Sequence, residues 1–302
     1  MSGRIVKDTT EFFSIDYGDI ILVDSKRYKV TGHEREGRFG MDDPKFWVKK
    51  VVDLDTGEKK IAKLSHFEAF ESSIGGVKIR RFRNPDKESD VLNRMKNHPH
   101  FMHGTSYRDS KENNVRILDI VRGQGFFDYI QSFEMDYDTY FSAELPRILR
   151  ELIKAFEAIR FLHANGFKHG DIRNDHIIIE SNTGNYVWID FDYDYETIEN
   201  PYGLDVFGLG NILMYAIGKG FHHCHEIKRD GVAYKDLKNL MEAGDVSILD
   251  RGRFINLRKL YPIIPKMLND ILMHFSMGTD VYYEFAEEIV EDLTVCLYSV
   301  FE

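Results

Sequence analysis

Short β-branched and aromatic runs separated by turn residues fill positions 19–64: DIILVD, RYKVTG, KFWVKKVVDLD and KKIAKL. Such runs predict strands, and Gly57 in DLDTGEKK takes a hairpin position between two of them. The pattern changes at 86–97, where Val91, Leu92 and Met95 share one face of a predicted helix that Pro99 helps to end. VRILDIV and FFDYIQSFEM return to the strand pattern. Residues 1–135 therefore predict a small antiparallel sheet with one main helix, an α+β arrangement.

Beyond that point the period becomes helical. In ELPRILRELIKAFEAIRFLHANG, Leu145, Ile148, Leu149, Leu152, Phe156, Ile159 and Leu162 recur at helical spacing; Pro146 sits in the first turn and Gly166 stops the helix. DVFGLGNILMYAIG is apolar on nearly all sides and predicts a central buried helix. Amphipathic segments near 263–275 and 283–299 close the chain. EMDYDTY (134–140) is the expected crossing, dividing a strand-rich region, 1–135, from a helical one, 136–302. No internal repeat or low-complexity segment interrupts either half.

Composition narrows the function classes. At 302 residues, 43% hydrophobic and 30% charged, the chain suits two folded lobes. Its formal net charge of −10 argues against general binding of nucleic acid or anionic membranes. Arg80, Arg81 and Arg83 form the main basic patch, and so short a run predicts a solvated face. Cys224 and Cys296, the only cysteines, give neither a disulfide framework nor a tetrahedral thiolate site. The start, MSGRIVKDTTEFFSIDYGD, has no apolar signal core, and no apolar run approaches the ~18 residues of a spanning helix. A cytoplasmic location is expected.

Chemistry concentrates in KHGDIRNDHIII (168–179) and WIDFDYDY (188–195), where polar residues are pinned beside β-branched or aromatic runs. HGDIRNDHI resembles the catalytic loop of the protein-kinase-like superfamily, H-R-D-L-x-x-x-N, with His169 and Asp171 on its His and Asp and Gly170 replacing the Arg. IDFD resembles the D-F-G segment, with Asp190 and Phe191 matching and Asp192 replacing the Gly. IAKL is similar to V-A-I-K and ends in Lys63–Leu64; ESDVLNRMKNHPHF resembles the helix that follows, with Glu88 as the partner of Lys63. DVFGLGNILMYAI resembles the central helix of the large lobe, with Asp205 at its start. The resemblance spans residues 25–300 and implies a two-lobed kinase fold with an antiparallel N-lobe and a mainly helical C-lobe.

That resemblance implies ATP and Mg²⁺ as cofactors, with Mn²⁺ as an alternative ion. Phosphoryl transfer needs positioning and charge neutralisation more than covalent help. Lys63 would hold the α- and β-phosphates and Glu88 would aim it. Asp190 would bind the metal, Asp171 would orient the acceptor hydroxyl and take its proton, and Arg173 would neutralise charge on the γ-phosphate. Glu134 and Met135, at the expected crossing, become candidates for contact with the nucleotide. Gly32, Gly37 and Gly40 in GHEREGRFG let backbone amides approach phosphate, or form a plain hairpin turn.

The departures bear on the substrate. His176 occupies the family's metal-binding Asn position, as in lipopolysaccharide-core sugar kinases; a neutral imidazole can ligate a divalent ion, and a packed structural histidine is the alternative. Asp192 extends an acidic series similar to that of choline-kinase-like enzymes; it is either a second metal ligand or solvated. Fifteen positions separate Asp190 from Asp205, with no A-P-E and no Ser. Thr197 is the one residue there of the usual switch type, so activation by loop phosphorylation is not expected. FHHCHE (221–226) offers adjacent ligands poorly spaced for zinc and predicts a surface loop. The leading expectation is a kinase acting on a protein Ser or Thr hydroxyl. The alternatives are a small-molecule or sugar kinase and a pseudokinase scaffold.

Overall fold

The computed structural model describes residues 3–38, 41–74, 77–197, 200–229 and 240–301. Its architecture is α+β, and the contacts gather into two compact units. The first comprises the chain up to Ala69, Phe82–Arg122 and Phe191–Tyr193; the second comprises Phe70–Arg81, Gly123–Asp190 and the chain from Asp194 onward.

In the first unit, strands β1 (Ile5–Val6), β2 (Ile20–Val23), β3 (Lys26–Arg38), β4 (Met41–Asp53), β5 (Lys59–Lys63), β8 (Gly104–Arg108) and β9 (Asn114–Asp119) form one sheet in the order β1-β2-β3-β4-β5-β9-β8. Every pairing is antiparallel except β1 with β2. Val23, Val30, Val51, Ala62 and Ile117 bury one apolar cluster, and Phe12 and Ile15 pack into it from the preceding segment. Lys49 ties that segment down: its buried ammonium donates to the carbonyls of Phe12 at 2.9 Å and Ile15 at 2.6 Å. Helix α1 (Pro85–Arg94) starts as its sequence directs. Asn84 accepts from the Lys87 amide at 3.0 Å, Pro85 opens the first turn, and Asp86 and Glu88 complement the positive helix end.

The second unit is built on α4 (Leu145–Ala164) and α5 (Gly203–Ile217), with α7 (Lys266–Met273) and α8 (Ala286–Phe301) among its later helices. The predicted apolar stripe of α4 is buried throughout. A small sheet of β10 (Gly123–Gly125), β11 (Ile177–Glu180) and β12 (Tyr186–Trp188) lies beside α4, and Trp188 donates its indole N–H to the Ala155 carbonyl at 2.8 Å. Gly208 lets α5 approach the preceding loop closely: a Cβ there would lie 2.6 Å from the Ile172 Cβ.

Three expectations change. FFDYIQSFEM is not a strand: Phe126–Gln131 form helix α2, with Phe126 and Ile130 buried four residues apart. Aromatic and β-branched residues fit a short strand or a short helix equally well, and the helical spacing decides here. The segment 134–140 is not the place where the chain leaves the first unit, which it does at Arg122. Instead it leads into α3 (Tyr137–Ala143), whose N-cap Asp136 accepts from the Thr139 amide at 2.9 Å. Finally, β6 (Ala69–Ile74) and β7 (Val77–Arg83) were not expected. They join β13 (Tyr193–Glu196) in the order β13-β7-β6, and the arginines of the basic patch are engaged rather than merely solvated: Arg81 pairs with Asp171, Arg83 with Asp192 and, at the surface, Arg80 with Glu196.

Candidate active site

In the first unit, Lys63 at the end of β5 and Glu88 in the first turn of α1 meet at 2.8 Å. Both are buried, so the bond is shielded from water and salt. Glu88 also accepts from Arg116 of β9 at 2.9 Å and from the Phe191 amide at 3.3 Å. Lys63 lies 3.2 Å from Asp192 as well. Asp192, expected as a metal ligand or as solvated, is not solvated: its carboxylate is buried and accepts from Arg83 at 2.7 Å. Arg83 in turn bonds Glu68 at 3.0 Å and stacks on Trp47 and Tyr193. Three cations and three carboxylates balance, the condition under which charge burial is tolerated.

The second unit holds the other set. Asp205, fully buried at the start of α5, accepts from the His169 and Gly170 amides at 2.6 and 2.9 Å and meets His163 Nε2 at 3.0 Å. Burial raises its carboxyl pKa, but the His163 hydrogen bond and charge, His169 and the Gly170 amide outweigh that, and the net direction is downward. Asp205 thereby anchors the loop that carries Asp171. Gly170 has φ 87°, a conformation that suits glycine where the resembling motif has Arg.

Asp171 Oδ1 accepts from Arg81 of β7 at 2.7 Å. Burial raises this carboxyl too, and His176, Arg173 and Arg81 together bring it below the ordinary aspartate value. The His176 ring lies between two carboxylates, with Nδ1 at 3.6 Å from Asp171 Oδ2 and Nε2 at 3.7 Å from Asp190 Oδ2. Its hydrogen bonds assign the tautomer: Nδ1–H donates to the Asp171 carbonyl at 2.7 Å and Nε2 accepts from Arg173 at 2.9 Å. With both nitrogens engaged, His176 spaces the two carboxylates. Arg173 is also bonded to Asp175 at 2.8 Å. Asp190 takes φ 69°, a left-handed backbone uncommon outside glycine and concentrated at functional sites.

The remaining candidates fall elsewhere. Gly37 sits in β3 opposite Asp42, and Gly40 lies outside the described residues. Glu134 and Met135 follow α2 within the second unit, away from the point where the chain leaves the first. His222–His223 form strand β14, paired with β15 (Arg253–Phe254), and Cys224 opens helix α6 (Cys224–Arg229). No group of three metal-ligating side chains occurs among the described residues. Mg²⁺ does not require one, because it keeps waters and substrate phosphates around one or two carboxylates, and Asp190 fits that role. No described helix is long and apolar enough to cross a membrane.

No family model matches the chain. Over 136 residues it is 25% identical to the phosphorylase b kinase gamma catalytic chain, liver/testis isoform, of Mus musculus, and 24% identical to that of Homo sapiens. Each match covers 45% of this chain and 31% of the relative, so the chain spans about a third of the length of the curated relatives it matches. The structure of the Cydia pomonella granulovirus kinase PK-1 superposes with a TM-score of 0.52 at 14% identity, covering 88% of this chain and 93% of that one. The chain has a protein-kinase-like fold. Within this kinase-like fold the pairing of Lys63 with Glu88 follows the resemblance read from the sequence, while Arg81, Arg83 and Arg116 had no motif to mark them.

Proposed function

We propose that the chain is an ATP- and Mg²⁺-dependent phosphotransferase acting on a hydroxyl acceptor. The observation that carries this reading is the His176 ring spacing two carboxylates, Asp171 and Asp190, which stay partly exposed while their supports are buried. In this reading Lys63, aimed by Glu88, binds the α- and β-phosphates. Asp190 is the carboxylate that holds Mg²⁺, whose charge neutralises the phosphates. Asp171 orients the acceptor hydroxyl and receives its proton. Arg173 fixes His176 and screens the Asp171 carboxylate, from which its Nε lies 3.7 Å. The intact set weighs against a scaffold without turnover.

A protein Ser or Thr hydroxyl is the default acceptor. A small-molecule acceptor is the second reading, favoured by a pocket of about 500 Å³ in the second unit. Phe127, Arg173, Asn174, Asn211 and Arg253 are among its lining residues, and its volume is within the range of small-ligand sites. The test is transfer from γ-labelled ATP with Mg²⁺, first to the protein itself and then across panels of proteins, sugars and amino alcohols. Label on a defined hydroxyl, absent without Mg²⁺, is expected. No transfer to any acceptor, with nucleotide binding intact, would overturn the proposal in favour of a scaffold.

A further inference from the structure

We propose that Arg81, on the β6–β7 hairpin, is the positioning residue for the acceptor-orienting carboxylate of Asp171. The inference rests on the phosphotransferase reading and deepens it. The hairpin lies in sequence between the strand of Lys63 and the helix of Glu88, yet its last strand reaches a loop ninety positions away. Arg81 Nη2 donates to Asp171 Oδ1 at 2.7 Å and to the Gly170 carbonyl at 3.0 Å, so one guanidinium grips both the carboxylate and the backbone that carries it. Such charge-assisted bonds are short and strong. The Phe70 ring, on the partner strand, lies 5.6 Å from the guanidinium carbon, and the Arg81 side chain is only 17% exposed.

The distribution of bonds separates positioning from blocking. Oδ1 is taken by Arg81, whereas His176 Nδ1 lies 3.6 Å and Arg173 Nε 3.7 Å from Oδ2, beyond hydrogen-bond length. One oxygen is thus fixed and the other remains for an incoming hydroxyl. The hairpin also pairs through β7 with β13, which begins three residues after Asp190. A single hairpin therefore supports both the acceptor carboxylate and the strand following the metal carboxylate. This gives the chain a fixed support where Asp205 follows Asp190 by only fifteen positions.

The test compares Arg81→Met, Arg81→Lys and the control Arg80→Ala with the wild type. Turnover, ATP–Mg²⁺ affinity by calorimetry and hydrogen exchange of residues 168–176 are measured on the same preparations. Arg81→Met is expected to lower turnover by about 10–100-fold, the scale of a small misplacement at a reacting centre, with ATP affinity within twofold. It should also lose exchange protection in 168–176. Arg81→Lys should recover part of both, because an ammonium can donate to Oδ1 and the Gly170 carbonyl but sits on a shorter side chain without the planar group that lies over Phe70, and Arg80→Ala should match the wild type. Increased turnover in Arg81→Met would overturn the proposal by making the contact a block. Unchanged turnover and protection, or parallel loss in Arg80→Ala, would overturn it as well. If the wild type transfers no phosphate, the phosphotransferase reading fails separately. Exchange protection then decides the hold on Asp171: loss in Met with recovery in Lys supports it, and no change overturns it.

Discussion

Lys63, Glu88, Arg83, Arg116 and Asp192 in the first unit keep 6% or less of their side-chain surface. Asp171, Asp190 and Arg173 in the second keep 10%, 21% and 39%. The first set is closed: its charges are balanced by one another and by Glu68, so Glu88, Arg83, Arg116 and Asp192 form a framework that aims Lys63, and removing one partner strands another in low dielectric. The second set is open. Its carboxylates are oriented by His176, Arg81 and the buried Asp205, but retain room for a ligand. The same charged residue types thus serve rigidity in one place and readiness in the other, and burial is the variable that separates them.

Asp190→Asn tests the open set hardest. Mg²⁺-dependent turnover should fall below detection while the melting temperature stays within a few degrees; persistent turnover in the folded variant would remove Asp190 from the metal role. In the closed set, Glu88→Gln leaves Arg116 and Lys63 short of a carboxylate. A loss of about 3–5 kcal/mol in chemical denaturation is expected, and a loss below about 1 kcal/mol would mean that the set is less closed than its burial indicates.

Asp205→Asn probes the support of the open set and should cost about 1–3 kcal/mol at neutral pH, the scale of unsatisfied buried donors. Its folded-state carboxyl pKa is lowered, so its ionised form stabilises the fold above the unfolded value of about 3.9. That contribution is lost as pH falls through the folded value. The gap between wild type and variant should therefore be widest near neutrality and narrow below about pH 4; a gap that widens in acid would reverse the assignment. The smallest effect belongs to Arg80→Ala. Its pair with Glu196 at 3.3 Å is about 60% exposed on both sides, and exposed pairs contribute about 0–1 kcal/mol.

The legible part of the molecule is the part that local pattern controls. Strands β2 to β5, helix α1 with its Asn84–Pro85 start, and helices α4 and α5 carry their period in consecutive residues. Lys63, Glu88, Asp171, Asp190 and Asp205 were marked because each sits in a short motif. Arg116 was not marked, and Arg81 and Arg83 were read only as part of a solvated patch, because what defines them is a partner 28, 90 or 109 positions away. A local signal for the hairpin did exist: Gly75–Gly76 separates AFESSI from VKIRRF, a glycine pair between two strand-like runs. Glu134 and Met135 were chosen from the expected crossing, which the reading of Phe126–Gln131 as a strand had set past α2. Asp192 was open between metal ligand and solvated residue because the residues around it carry no record of Arg83.

Asp171→Asn, studied by calorimetry of ATP–Mg²⁺ binding and by turnover in one preparation, tests the central claim most directly. An open, acceptor-facing carboxylate predicts a turnover loss of roughly 10²–10⁴, nucleotide affinity within about threefold, and little change in stability. Unchanged turnover with intact nucleotide binding would contradict the account, and so would loss of affinity and stability in step with turnover.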